Sequence, residues 1–141
     1  MNSGEPGYAG DLDPAEAMER LKREPGTQLV DVRTQAEWDA VGVPDLGGIG
    51  KAPIFIEWGV VPDFLGDLGK ALAERGLGTD VPLLFLCRSG NRSGQAARAA
   101  TAAGFPQSFN VIEGYEGAPG ASEKLGRPVG WKARKLPWTR R

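Results

Sequence analysis

Residues 82–97 of this 141-residue chain, PLLFLCRSGNRSGQAA, decide its fold class. The stretch begins inside a continuous apolar run, residues 81–86, which has the length of a strand and the pattern of one covered on both faces of a sheet. An alanine-rich segment, residues 95–103, follows and predicts a tightly packed helix that ends at Gly104. The polar residues in between therefore predict a short loop that joins a buried strand to a helix.

The sequence on either side repeats this alternation of strands and helices. Helices are predicted where a capping residue precedes apolar positions at helical spacing, and strands where branched residues stand between turn residues. The predicted helices cover residues 14–23, 35–41 and 64–75, the predicted strands cover residues 28–32, 52–56 and 108–112, and residues 42–50 are predicted to be a loop. Strands that alternate with helices indicate an α/β fold with a mainly parallel sheet.

Composition excludes several classes of chemistry. The chain has no histidine, so it cannot build a Cys-His or Ser-His-Asp nucleophile system or a histidine metal site. Its single cysteine excludes an intrachain disulfide, a CxxC redox pair and a cysteine-rich zinc site. Hydrophobic residues make up 40% and charged residues 25% of the chain, which is ordinary for one globular domain. We predict neither a metal nor an organic cofactor.

The single cysteine, Cys87, lies at the end of the most hydrophobic predicted strand, and Ser93 lies where the next helix is expected to begin. Parallel α/β proteins bind ligands at this edge of the sheet. Backbone N–H groups of the loop, the positive end of the helix and neighbouring arginines would all stabilise an anion, and the candidate anion is a thiolate. A lone cysteine after an apolar strand is often inert. Two arginines, a glycine and an asparagine in one loop have no packing rationale beneath an apolar sheet, so we interpret Cys87 as a nucleophile.

Three segments of the chain resemble the rhodanese-like family of single-domain sulfurtransferases. LVDVRTQAEW, residues 29–38, is similar to the family's first strand and its D-V-R-x-x-x-E-[WYF] signature. Residues 82–97 are similar to its active-site strand, loop and helix, and FNVIEGYEG, residues 109–117, is similar to its closing V-x-x-G-G segment. The resemblance covers about residues 13–117. It implies a rhodanese-like α/β domain whose central, mainly parallel five-stranded sheet is flanked by helices on both faces.

The resemblance also implies a thiosulfate sulfurtransferase (rhodanese)-like enzyme. Cys87 would take a sulfane sulfur from thiosulfate or a similar small anionic donor and hold it as a persulfide. The outer sulfur would then pass to a thiophilic acceptor, which is cyanide or a small-molecule or protein thiol. Because the chain has no second cysteine, that acceptor must come from outside it.

In this scheme Cys87 is the catalytic residue and the rest of its loop binds the anion. Arg88 and Arg92 are expected to supply positive charge to the donor and to the persulfide. For Arg92 the alternative is that it braces the loop against a carboxylate. Four further residues of the loop are expected to contribute backbone donors: Ser89, Gly90, Asn91 and Ser93.

Two further expectations concern the surroundings of this loop. Gly90 and Asn91 tolerate left-handed backbone conformations, which a turn of this kind needs. Asp31, Arg33 and Glu37 are expected to form a second layer of residues around the site, with Arg33 and Glu37 as a structural ion pair, because the family usually pairs the residues at these positions.

Two other functions remain open. In the first, the fold is a non-catalytic rhodanese-like binding or regulatory module in which the cysteine is incidental. The second is a cysteine-dependent phosphatase or arsenate reductase. Such enzymes need the longer loop C-x-x-x-x-x-R around a tetrahedral anion, whereas Cys87 and Arg92 give C-x-x-x-x-R. Leu86 also stands where tyrosine phosphatases typically have histidine.

The chain is expected to have three parts: a flexible segment over residues 1–12, the rhodanese-like domain over 13–117 and a C-terminal extension over 118–141. Residues 1–123 carry 10 basic and 18 acidic side chains, whereas residues 124–141 carry 7 basic and no acidic ones. The conformations of residues 42–51 and 116–130 stay open.

The extension mixes tryptophan with cations. This mixture is compatible with binding nucleic acid, with docking an acceptor protein and with a structural role. We favour the structural role, in which Trp131, Leu136 and Trp138 fold back onto the acidic domain. The sequence has no apolar run of membrane-spanning length and no basic, apolar leader, so we expect a cytoplasmic protein that binds neither nucleic acid nor a membrane. Whether it is a monomer or a homodimer stays open.

Overall fold

Seven strands and five α-helices make up residues 7–141, which are the residues that the computed structural model describes. The strands are β1 (Gly10–Leu12), β2 (Gln28–Asp31), β3 (Val43–Pro44), β4 (Ile54–Phe55), β5 (Leu83–Leu86), β6 (Ser108–Val111) and β7 (Trp138–Thr139). The helices are α1 (Pro14–Arg23), α2 (Gln35–Val41), α3 (Phe64–Glu74), α4 (Asn91–Ala102) and α5 (Ala121–Leu125). A short 3₁₀ helix, Gly47–Ile49, follows β3.

Five of the strands form one parallel sheet in the order β1-β6-β5-β2-β4. The buried strand β5 lies at its centre, where Leu83 is opposite Gln28 on one side and Ser108 on the other. The predicted α/β fold with a five-stranded parallel sheet is therefore confirmed. Because all five strands run in the same direction, the loops that follow β2, β5 and β6 meet at one edge of the sheet.

Local sequence explains where the first three helices begin. Asp13 accepts the amide hydrogen of Glu16 while the Glu16 carboxylate accepts that of Asp13, and Thr34 and Glu37 form the same reciprocal pair at α2. At α3 the side chain of Asp63 accepts the amide of Gly66. The predicted helix bounds therefore agree with the observed ones to within one residue for α1, α2 and α3.

The core has two layers, one on each face of the sheet. Successive residues of β5 point to opposite faces, so Leu83 and Phe85 pack with α3 and α4, whereas Leu84 and Leu86 pack with α1. Cys87 continues this alternation and lies on the face that α3 and α4 cover. The helices on both faces explain why β5 is apolar throughout.

Two segments differ from the sequence expectation. Residues 42–50 were predicted to be a loop, but they contain β3, which pairs antiparallel with β7 of the C-terminal extension, and the 3₁₀ helix. Gly10, Asp11 and Leu12 belong to a segment predicted to be flexible, but they form the edge strand β1 beside β6. Both pairings join segments far apart in sequence, so no local pattern indicates them. Residues 1–6 of that predicted segment lie outside the described residues.

The C-terminal extension lies against the face that α1 covers. Trp131 is fully buried there, and its indole Nε1 donates a hydrogen bond of 2.7 Å to the carbonyl of Pro137. Leu136 and Trp138 pack against the same cluster. The guanidinium of Arg134 pairs with the carboxylate of Glu113 at 2.6 Å. The extension thus contributes a large aromatic side chain to the core. In residues 7–141 no helix is both long and apolar enough to span a membrane.

Truncating Trp131 tests whether the extension unfolds together with the domain. Trp131→Ala removes a fully buried indole and its hydrogen bond to Pro137, so we expect the free energy of unfolding to fall by about 3–5 kcal/mol in a single transition, measured by urea titration. Leu125→Ala, at a leucine that is 58% exposed in the same extension, is the control and should change it by less than about 0.5 kcal/mol. Equal effects of the two substitutions would contradict a core role for Trp131.

Candidate active site

Cys87 follows β5 directly and faces the N-terminus of the 12-residue helix α4. The backbone of Gly90 has a φ of 102°, a left-handed conformation that turns the chain into the helix at the end of the four-residue loop 87–90. A Cβ at this position would overlap the carbonyl oxygen of Ile112, so space as well as conformation requires glycine here. The turn therefore places the amide of Gly90, the residue before α4, beside the cysteine.

Two polar groups contact the sulfur atom of Cys87. The Gly90 amide donates a hydrogen bond to Sγ over 3.1 Å, and Ser93 Oγ lies 3.1 Å from the same atom. Cys87 is only 1% exposed, because it also packs among the apolar side chains beneath α3 and α4. The sulfur is thus buried but has polar partners on the side of the helix, which a merely space-filling cysteine does not need.

The helix begins earlier than the sequence indicates, and this changes the predicted set of amide donors. We expected α4 to begin at Ser93, but it begins at Asn91. Asn91 is therefore helical and does not take the left-handed conformation that we expected it to tolerate. Ser93 lies inside the first turn and contacts Sγ through its hydroxyl group. Of the predicted backbone donors, Gly90 is the one that the structure brings to the sulfur.

Asn110 extends this polar contact and was missed by the sequence analysis. It lies on β6 opposite Phe85 of β5, its Oδ1 accepts the Ser93 hydroxyl at 2.6 Å, and its Nδ2 donates to the Gly90 carbonyl at 3.0 Å. Asn110 also hydrogen-bonds the phenol of Tyr8, which opposes the rise that burial causes in the pKa of Tyr8. The available signal was an asparagine in a strand with apolar neighbours, since buried polar side chains require partners.

The segment after β6 holds the other side of the cysteine loop. The amide of Tyr115 donates to the carbonyl of Cys87 at 2.8 Å, and the amides of Glu116 and Gly117 both donate to the carbonyl of Arg88 at 3.0 Å. These bonds explain why a segment some 25 residues downstream forms part of the site, as the resemblance of residues 109–117 implied.

The two arginines of the loop have different surroundings. Arg92 forms a two-pronged ion pair with Glu37, with N–O distances of 2.7 and 2.9 Å. The hydrogen bonds from Arg92 lower the pKa of Glu37 from 4.5 to about 2, and the same contact raises the pKa of Arg92. Arg88 has a side chain that is 50% exposed and lies 3.6 Å from Glu116. The structure thus uses Arg92 to brace the loop, the alternative left open by the sequence, and leaves Arg88 at the surface.

Asp31 and Arg33 form a second, fully buried ion pair at 2.7 Å. The Arg33 guanidinium also donates to the carbonyl of Gly42 and stacks over the ring of Tyr115, with 4.0 Å between its carbon and the ring centre. The expected pairing of Arg33 with Glu37 is therefore wrong, because each has a different partner. The reason is geometric: Arg33 is drawn inward by the neighbouring carboxylate of Asp31, and Glu37 faces α4.

One cavity of the structure lies apart from this loop. A cavity of about 610 Å³ lies between β4 and α3, and its lining includes Trp38, Phe55 and Glu57 but no residue of the cysteine loop. Within residues 7–141 no group of three or more acidic, cysteine or histidine side chains is arranged to hold a metal ion.

This combination of a parallel α/β sheet with a cysteine loop between its central strand and a helix defines a known class. The profile of the Rhodanese-like domain matches residues 13–118, so the chain belongs to the rhodanese-like family.

Several individual proteins are similar to this chain. The crystal structure of Rv0390 from M. tuberculosis has a TM-score of 0.79 with 42% identity and covers 95% of this chain and 99% of that one. An uncharacterized protein of Rickettsia conorii is 36% identical over 110 residues, which cover 78% of this chain and 80% of the relative. The solution structure of the polysulfide-sulfur transferase homodimer of Wolinella succinogenes shares the fold, with a TM-score of 0.61, 24% identity and coverage of 96% and 80%.

Two glycines with the same backbone conformation test the importance of the tight turn. Gly90 has a φ of 102°, and a Cβ added there would overlap the backbone of Ile112. Gly104 has a φ of 101°, and a Cβ added there would meet open space. Both Gly→Ala substitutions strain the left-handed backbone by about 1–2 kcal/mol. Gly90→Ala must in addition displace the loop, so we expect it to lower the free energy of unfolding by about 2–3 kcal/mol more than Gly104→Ala. Equal losses in urea titrations would show that the turn is not tightly constrained.

The Glu37–Arg92 pair should make the stability of the folded protein decrease at acidic pH. Because the folded-state pKa of Glu37 lies below its ordinary value, its stabilising contribution is complete above about pH 5 and is lost as the pH falls toward about 2. Solvent screens this partly exposed pair, so we expect it to contribute about 1–2 kcal/mol. Glu37→Gln should therefore lower the melting temperature at neutral pH and flatten its decline in acid.

An exposed glutamate of α5 provides the control for this measurement. Glu123→Gln should leave both the neutral melting temperature and its acid decline close to those of the wild type. If the melting temperature of Glu37→Gln falls in acid as steeply as that of the wild type, another carboxylate is responsible for the decline.

Proposed function

We propose that the protein is a sulfurtransferase that moves a sulfane sulfur from thiosulfate or a similar anionic donor to a thiophilic acceptor through a persulfide on Cys87. The observation that carries the proposal is the Gly90 amide aimed at Sγ of Cys87 at the N-terminus of α4. An N–H group and the positive end of a helix both stabilise negative charge on sulfur. They would do so for the thiolate before transfer and for the persulfide after it.

The first half-reaction loads the cysteine. The Cys87 thiolate attacks the outer sulfur of thiosulfate, a new S–S bond forms, and the original S–S bond of the donor breaks. Sulfite leaves with the electron pair of that bond, and the enzyme retains Cys87–S–S⁻. Charge and electrons balance, so no separate oxidant is required.

The second half-reaction removes the outer sulfur from Cys87. A nucleophilic acceptor attacks the outer sulfur of the persulfide, and the Cys87 thiolate leaves with the electrons of the S–S bond. Cyanide would give thiocyanate by this route, and a thiolate would give its own persulfide. Since the chain has one cysteine, no internal thiol can compete for the outer sulfur.

Arg88 is the residue that we assign to the incoming donor. Its side chain is half-exposed at the mouth of the loop, and its contact with Glu116 is long at 3.6 Å, so it can turn toward an anion at little cost. Arg92 is already bound by both oxygens of Glu37. We therefore infer that Arg92 acts indirectly, by fixing the loop and by adding positive charge near the sulfur.

The burial of the cysteine favours a second candidate, a non-catalytic binding or regulatory module. At 1% exposure the Cys87 thiol is less accessible than a free nucleophile usually is. The bound state of Arg92 weighs against a phosphatase or arsenate reductase, because such enzymes need that guanidinium to close around the tetrahedral anion. The mass of the protein after incubation with a sulfur donor separates the sulfurtransferase from the other two functions, and turnover of an aryl phosphate separates those two from each other.

Mass spectrometry after incubation with thiosulfate tests the proposal. We expect the wild type to gain the mass of one sulfur atom and to lose it when cyanide is added, with thiocyanate appearing in equal amount. Cys87→Ser removes the sole thiol and should gain nothing, whereas Ser108→Ala, a buried serine of β6 that bonds the Phe105 carbonyl, is the matched control and should be loaded normally.

Other outcomes would favour the alternatives. An unchanged mass in excess donor, with a folded protein, would refute the sulfurtransferase and favour the module. Turnover of an aryl phosphate that is lost in Cys87→Ser would favour the phosphatase instead.

A further inference from the structure

Cys87, Gly90, Ser93 and Asn110 form a closed ring of hydrogen bonds whose direction can be deduced. The carbonyl of Gly90 can only accept, so the amide group of Asn110 must face it with Nδ2. Oδ1 of Asn110 then faces Ser93 over 2.6 Å, and because this oxygen can only accept, the Ser93 hydroxyl must donate. The orientation of a hydroxyl proton is thereby fixed by a backbone carbonyl.

This direction determines what Ser93 offers to the sulfur. A serine has one hydroxyl proton, and here Asn110 Oδ1 takes it. The Ser93 oxygen therefore presents a lone pair to Sγ of Cys87 at 3.1 Å. A protonated thiol satisfies that lone pair by donating S–H, whereas a thiolate would meet it as one acceptor facing another.

We propose that Asn110 and Ser93 are positioning residues that hold the thiol proton on Cys87 in the resting protein. When Cys87 ionises, its proton goes to water. The Ser93 oxygen then either still directs a lone pair at the thiolate, which is unfavourable, or its hydroxyl rotates away from Asn110 to donate to the sulfur. Rotation leaves the buried Oδ1 of Asn110 without that donor, which costs free energy. The ring thus opposes the Gly90 amide, which favours the thiolate.

The charged groups around the sulfur do not take part in this ring. Arg92 on α4 is held by Glu37, Arg33 after β2 is held by Asp31, and Arg88 lies at the surface beside Glu116. Replacing Ser93 or Asn110 with alanine therefore changes no charge. The two substitutions isolate the effect of hydrogen-bond direction from that of the surrounding ion pairs.

Titration of the Cys87 thiol by its thiolate absorbance in the ultraviolet tests the inference. The Cys87→Ser counterpart of each variant is subtracted to remove the tyrosines, because Asn110 influences the pKa of Tyr8. Ser93→Ala removes the lone pair that accepts S–H, so its ionisation midpoint should fall by about one pH unit. Asn110→Ala frees the Ser93 hydroxyl to donate to the thiolate, so its midpoint should fall by a similar amount, about one pH unit.

The ordinary expectation, in which Ser93 donates to the thiolate, gives the opposite result. In that case Ser93→Ala would raise the midpoint and Asn110→Ala would leave it unchanged, and either result overturns the inference. Ser108→Ala is the control: its hydroxyl also donates to a carbonyl in the core, at a distance from the sulfur, so its midpoint should equal that of the wild type. Circular dichroism of each variant verifies the fold, and Ser93→Ala alone suffices if Asn110→Ala does not fold.

The effect of Ser93 and Asn110 on the thiol proton can be tested without the proposed function. Only the consequence of that effect for sulfur transfer rests on the proposed function. The titration contains no sulfur donor, so a failure to form a persulfide and a failure of the expected pH shifts are separate results. If both hold, the variants should also form the persulfide at lower pH than the wild type, with the midpoint of loading shifted by the same amount as the thiol titration.

Discussion

The left-handed turn at Gly90 is the constraint on which the site depends. Without it the chain would leave β5 on a wider path, and neither the Gly90 amide nor the hydroxyl of Ser93 would reach the sulfur. Several other features follow from this turn. The Gly90 carbonyl is brought to Asn110 on the neighbouring strand, and the first turn of α4 directs Arg92 toward Glu37 on α2. One backbone conformation thus sets both the polar partners of the cysteine and the ion pair that braces its loop.

The ion pairs around Cys87 leave little free charge near it. Asp31 neutralises Arg33 in the core, and Glu37 neutralises much of Arg92 at the loop. What remains to stabilise negative charge on the sulfur is the Gly90 amide, the end of α4, the surface cation Arg88 and the part of the Arg92 charge that Glu37 does not neutralise. A chain without histidine has no imidazole base beside the cysteine, so the hydrogen bonds at the sulfur are the groups that our proposal uses.

The sequence predicts the fold well where its cause is local. The capping boxes of Asp13 and Thr34 define the starts of α1 and α2, and the apolar run before Cys87 correctly indicates the central strand. The start of α4 was misplaced, since polar residues open this helix and no side chain caps it.

In the site, the sequence indicates which residues converge but not how they pair. Cys87, Gly90 and Ser93 were named from the motif and do meet, whereas the partner of Glu37 was wrong and Asn110 was missed. Pairing depends on the register of β5 against β6 and on the rotation of α2, which arise from packing between distant segments. The strand pairing of residues 43 and 44 with the extension has the same cause.

The C-terminal extension is linked to the site through the last carbonyl groups of α2. A helix leaves these carbonyls without internal partners. Here the carbonyl of Val41 accepts from Tyr115 and from Lys132, and that of Ala40 accepts from Arg140. Cations at this end also complement the negative pole of the helix. Since Glu37 on the first turn of α2 holds Arg92, residues of the extension stabilise the position of the helix that braces the cysteine loop. The extension thereby contributes to the geometry of the site without contacting the sulfur.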